Sequence, residues 1–146
     1  MALFAPTTLR AESDEQDSLT VVEENYAYDT KAPSQRVKAF LKVAESKVQQ
    51  VKKNVRKGSS ADVLAPFSGY STAIKGAWMG VSWGQALRTD MTDSVRAIQR
   101  TTQKHVDILR TLQATANPSQ REALAQILST VLRIQNSELT GLYARK

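Results

Sequence analysis

Cysteine is absent from the 146 residues, and histidine occurs once, as His105. The first absence excludes a disulfide framework, thiolate zinc sites, iron–sulfur clusters and any cysteine nucleophile. The second excludes paired-histidine metal sites and leaves a single imidazole as a possible base. Carboxylates are scarce beyond the first thirty residues, where only Glu45, Asp62, Asp90, Asp93, Asp107, Glu122 and Glu138 occur. No apolar run approaches the roughly 18 residues of a membrane-spanning helix. The one β-like patch, Thr20-Val21-Val22, is too short for a strand. Without strands, no strand-to-helix turn exists to carry a glycine-rich phosphate loop. These gaps together predict a non-enzymatic protein with no cofactor, no metal and no small-molecule substrate.

What is present is a divided charge. The formal net charge of +6 is the sum of −6 on residues 1–30 and +12 on residues 31–146. The segment from Lys31 to Lys57 alone holds nine basic residues against Glu45. The acidic segment, residues 1–31, is expected to be largely unstructured and solvated, or to lie against the basic helix that follows and screen it. Within it, Ala2-Leu3-Phe4-Ala5 followed by Leu9-Arg10-Ala11 reads as the back end of an export signal, with cleavage near Ala11. That reading places the protein outside the cytoplasm, in the periplasm or envelope. If residues 1–11 are no such remnant, a cytoplasmic location follows.

Residues 32–146 read as one helical domain. Val37, Phe40, Leu41, Ala44, Val48, Val51 and Val55 recur at steps of three and four, so a helix runs from about Ser34 to Gly58. A second is predicted from about Asp62, a plausible N-cap, to Trp83, with Leu64, Phe67, Tyr70, Ile74, Trp78 and Val81 as its stripe. Gly76 and Gly80 share one face of it, a spacing that lets another backbone approach closely. A third, from near Asp90 to about Thr115, carries the coiled-coil-like seam Met91, Val95, Ile98, Thr102, His105, Leu109, Leu112. Asp90 and Asp93 at its start suit the positive end of the helix dipole. The fourth opens with Asn117-Pro118-Ser119-Gln120, read as N-cap, first-turn proline and capping-box glutamine. Its buried face runs from Leu124 to Leu142. Short linkers make neighbours antiparallel, which gives an all-α antiparallel bundle of about four helices.

Three features invite a functional reading. His105 lies on the seam, but Asp107 two residues later points to a different face and cannot orient it. It is therefore expected to be a half-buried seam residue bonded to a polar neighbour. Lys38, Lys42, Lys52, Lys53, Arg56 and Lys57 form a basic stripe able to contact an anion, an anionic membrane surface or the acidic segment itself. The one aromatic among them in sequence, Phe40, belongs to the apolar face of the helix, so no aromatic accompanies the cations on theirs, which argues against nucleic acid. Trp78 and Trp83, five apart in the least charged stretch, cannot share one narrow stripe, so one is expected in the core and the other partly exposed. That pair marks the candidate contact for a protein partner, a membrane interface or self-association.

With the helices placed, Ala44-Glu45-Ser46-Lys47 running to Lys57-Gly58, then Tyr70, then Thr102-Gln103-Lys104-His105-Val106-Asp107-Ile108-Leu109, then Pro118 through Ser129 resemble a bacterial family of uncharacterised extracytoplasmic helical domains. The likeness covers about residues 34–136. It departs from the family at Gln49-Gln50 and in the lysine run, where family members carry more acid on the first helix. It implies export and a helical bundle, and it brings no activity and no role for His105. A compositional likeness to minor pilus subunits of type IV secretion systems rests on the Gln- and Leu-rich stretch Arg121 to Leu142. The expected function is thus an exported structural or binding module, with a secretion component or a cytoplasmic polyanion-binding protein as alternatives.

Overall fold

Capping side chains and prolines set where the helices of this chain begin. A computed structural model describes residues 19–57 and 63–139, and five helices fall within them. Helix α1 spans Val21–Tyr28, α2 Pro33–Lys57, α3 Tyr70–Ala86, α4 Thr92–Thr115 and α5 Pro118–Leu139, with a 3₁₀ turn at Ala65–Phe67. No strand occurs among the described residues. The protein is all-α, as its periodicity predicts.

Pairs of contacting residues give the direction of each helix. Gly76 faces Phe40 while Gly80 faces Val37, so α3 runs antiparallel to α2. Gly84 faces Met91 and Tyr70 meets His105, so α4 reverses again. Gln103 on α4 meets Gln135 on α5, which closes an antiparallel hairpin. The shared core is built from Phe40, Val48, Ile74, Trp78, Ile98, Leu109, Leu124 and Ile127, all buried. A Cβ at Gly76 would lie 2.6 Å from the Phe40 ring, and one at Gly80 would lie 2.9 Å from Val37. The two glycines therefore serve α2–α3 contact inside the bundle.

Three expectations change. First, the acidic segment is not unstructured throughout, because its last third forms α1. Thr20 and Glu23 cap each other, at 3.1 Å from the Glu23 amide to the Thr20 hydroxyl and 3.0 Å in return. This capping box turns the β-like Val21-Val22 into a first helical turn. Leu19 and Ala27 are buried, and Glu23 meets Lys47 of α2 at 3.1 Å. Residues 1–18, including the expected signal remnant at 1–11, lie outside the described residues.

Second, the helix expected from Asp62 begins only at Tyr70. Pro66 has no amide hydrogen to donate, and Gly69 takes φ 87, a left-handed conformation that starts a new helix direction. Leu64 is consequently exposed, and Phe67 stacks on Tyr70 with centroids 4.6 Å apart instead of joining a stripe. Asp62 and the Gly58-Ser59-Ser60 stop lie outside the described residues, as do Gly141 and Leu142.

Third, Asn117 caps α5 by accepting from the Gln120 amide at 3.0 Å, but Gln120 does not complete a capping box. Its side chain is buried and donates to the Val55 carbonyl at 3.2 Å. An orphan carbonyl in the last turn of α2 gains a partner there, so tertiary contact takes precedence over the local motif.

Candidate functional site

Glu45 on α2, Tyr70 at the start of α3 and His105 on α4 converge at the centre of the bundle. The Tyr70 hydroxyl lies 2.6 Å from His105 Nδ1, and His105 Nε2 lies 2.8 Å from Glu45 Oε1. A carboxylate only accepts, so Nε2 carries the proton and Nδ1 accepts from the tyrosine hydroxyl. Glu45 is filled on its other oxygen by Gln49 at 2.9 Å and by Lys104 at 3.3 Å. Tyr70 and His105 are both 0% exposed, while the Glu45 side chain keeps 30%. The network touches water only through its carboxylate end.

Electrostatics match this protonation pattern. Burial pushes the His105 pKa below its ordinary value, outweighing the hydrogen bond and charge of Glu45 that favour the imidazolium. Lys104 beside it pushes in the same direction as burial. Partial burial raises Glu45, but the His105 bond, followed by the Gln49 bond and the His105 charge, brings its carboxyl below the usual range. A neutral imidazole between an ionised carboxylate and a phenol results. This arrangement can pass a proton along its own length, and it ties three helices together.

The expectation of a half-buried histidine bonded to a polar neighbour needs one correction. His105 is fully buried and has two polar partners, neither of them local. Asp107 does stay apart from it, accepting instead from Gln103 at 3.0 Å. Spacing arguments along α4 could not find Glu45 or Tyr70, since both sit on other helices.

The two tryptophans divide as their spacing predicts. Trp78 is buried in the core. Trp83 is half-buried, and the Arg36 guanidinium sits 4.4 Å from its centroid and 4.8 Å from that of Tyr28. Among the described residues, Lys47 is the basic side chain that forms an ion pair with the acidic segment. None of Lys38, Lys42, Lys52, Lys53, Arg56 and Lys57 has an ion-pair partner among the described residues. Lys38 and Lys42 border a groove of about 410 Å³ with Tyr26 and Asp29. Lys52 and Arg56 border another of about 590 Å³ between α2 and α4, floored by Val55, Ile108 and Leu112. Among the described residues no cluster of three acidic or imidazole side chains could hold a metal ion, and no helix is long and apolar enough to cross a membrane.

No protein-family model matches the chain, and comparisons with curated proteins and with solved structures found no match.

Proposed function

We propose that this chain is a non-catalytic helical binding module that works outside the cytoplasm. The observation that carries the first half is the sealed state of its one imidazole. Both ring nitrogens of His105 are occupied and the ring has no solvent exposure, so no substrate atom reaches it. General acid–base work needs a group within hydrogen-bond reach of the reacting proton. The exposed face of α2 is instead cationic, and Met79 and Leu87 add exposed apolar surface, the character of a contact surface. The family resemblance and the composition of residues 1–11 support export.

Fractionation of cells producing the tagged chain from its own gene tests location. Recovery with the envelope or periplasm is expected, and recovery in cytosol alone overturns export. Amine cross-linking in the same cells should yield a discrete adduct through the exposed lysines of α2 and α3. Recovery of uncross-linked monomer alone would overturn the binding reading.

A second reading has its own support in Lys38, Lys42, Lys52, Lys53, Arg56 and Lys57 of α2, which have no ion-pair partner among the described residues. Lys52 and Arg56 flank a groove that an extended polyanion could follow, and such binding weakens steeply with salt. Titration of heparin at low and physiological salt decides it. Affinity lost with salt and with Lys52→Glu supports this reading, and salt-independent or absent binding removes it.

A further inference from the structure

Helix α3 carries one charged residue, Lys75, in its 17 positions. A helix on the surface of a bundle normally faces water with charged and polar side chains, and α2, α4 and α5 do so here. The exposed positions of α3 are Lys75, Met79, Ser82 and Ala86, with half-buried Trp83 beside them. Met79 is 55% exposed, and Leu87 at the helix end is 59% exposed. Met79, Trp83 and Leu87 are spaced by four, so they line one side of the helix over about 12 Å. Isolated exposed apolar residues are ordinary; two large ones in line with a half-buried indole between them form a candidate contact surface.

The charged side chains on and directly after α3 are cations, and Asp90 two residues beyond Arg88 is the first carboxylate to follow. Lys75 stands one turn before Met79, and Arg88 follows Leu87 directly in a left-handed conformation with φ 62. Arg36 lies over the Trp83 ring. No carboxylate occurs between Tyr70 and Thr89. The nearest in sequence, Asp90, is engaged by the amide and hydroxyl of Thr92 at 3.0 Å and 2.6 Å. Asp29 borders the groove with Lys38 and Lys42 and a second one with Asn25 and Tyr28.

We propose that the outward face of α3, with Met79, Trp83 and Leu87 flanked by Lys75 and Arg88, docks on an anionic lipid surface. A second copy of the chain would set Lys75 and Arg88 against cations like themselves, with no carboxylate between Tyr70 and Thr89 to answer them. Anionic headgroups supply the missing charge, and the headgroup–acyl boundary takes up Met, Leu and the amphipathic indole. Docking is in the plane of the interface, in keeping with a face this narrow. The proposal rests on the binding-module reading and names its partner.

The test uses the full chain with vesicles of phosphatidylcholine alone or of phosphatidylcholine and phosphatidylglycerol in equal parts. Co-sedimentation with the mixed vesicles is expected, together with a blue shift of tryptophan emission from Trp83, since Trp78 is already buried. Lys75→Ala should weaken binding about fivefold, and Met79→Asp by about tenfold or more. Both positions are exposed, and circular dichroism confirms that the variants remain folded. Arg110→Ala, an exposed cation on α4, should bind as wild type does. No binding to mixed vesicles, equal binding to both compositions, or full binding by Met79→Asp would each overturn the proposal. Loss in Arg110→Ala equal to that in Lys75→Ala would take the surface away from α3. A concentration-dependent dimer abolished by Met79→Asp would assign the face to a second copy. A chain that ignores vesicles yet still forms cross-linked adducts in cells sinks the lipid surface while leaving the binding module standing.

Discussion

Replacing Tyr70 by phenylalanine removes one oxygen atom from the centre of the bundle and almost nothing else. The ring keeps its stack on Phe67 at 4.6 Å and its edge contact with His105 at 5.4 Å, so no cavity opens. What disappears is the donor to His105 Nδ1, at 2.6 Å in a site with no solvent exposure. Burial prevents water from taking the hydroxyl's place, so Nδ1 becomes an unsatisfied buried acceptor. Such a loss costs about 1–3 kcal/mol, where an exposed bond of the same length would cost a fraction of that. For a chain of this size each kcal/mol moves the melting temperature by about 2–4 °C. A value of about 2 kcal/mol therefore corresponds to a fall of about 6 °C. Urea denaturation of wild type and Tyr70→Phe at neutral pH, fitted with a common slope, measures the difference directly. A change below about 0.5 kcal/mol would refute the reasoning, because it would mean that the hydroxyl does not serve the imidazole.

The remaining predictions follow from the same contacts. Because the folded-state pKa of His105 lies below its ordinary value of 6.5, the unfolded chain binds more protons as pH falls. That stability is fully present above about pH 6.5 and is lost as pH drops through the folded value; acid titration of wild type should show the loss, and His105→Gln should abolish it. Glu45, lowered from 4.5, adds a further loss below that pH, so the wild-type curve should keep falling in acid. Gly76→Ala should destabilise by about 1–3 kcal/mol despite the better helix propensity of alanine, since its Cβ meets the packed Phe40 ring at 2.6 Å. Gly84→Ala should cost far less, because it meets only the flexible Met91 side chain; equal melting temperatures for the two variants would contradict the packing argument. Gln120→Leu should cost about 1–3 kcal/mol by stranding the Val55 carbonyl, measured by the same denaturation. Lys47→Met should change stability by less than about 1 kcal/mol, since its partner Glu23 is partly exposed and water screens the pair; a larger loss would make the α1 ion pair a principal anchor.

Sequence reading succeeds or fails here according to the range of the interaction. The seam on α4 was legible because Ile98, Thr102, His105, Leu109 and Leu112 repeat at helical spacing, and all five are buried. The stripe on α2 was legible for the same reason. The start of α3 was misread because Leu64 and Phe67 continue the period of Ile74 and Trp78, while the break comes from Pro66 and the positive φ of Gly69. Helix α1 was missed because eight residues with little amphipathic pattern look like a solvated acidic tail, and packing on α2 is what holds them. Among the cations of α2, Lys47 reads with the polar faces in sequence but is buried, the place from which it meets Glu23.

The chain by itself determined that the protein is helical, where its long helices lie, and that thiol and paired-imidazole chemistry are closed to it. Those properties depend on residue identity and on neighbours within one or two turns. Tertiary structure alone decided that His105 joins Glu45, 60 residues away, and Tyr70, 35 residues away. It also decided that Gln120 serves α2 in place of its own helix, and that Met79 and Leu87 are left on the outside with Trp83 half-covered between them. A hydrogen bond across helices, or the absence of a covering neighbour, is a property of how faces are brought together. Local spacing carries no record of it.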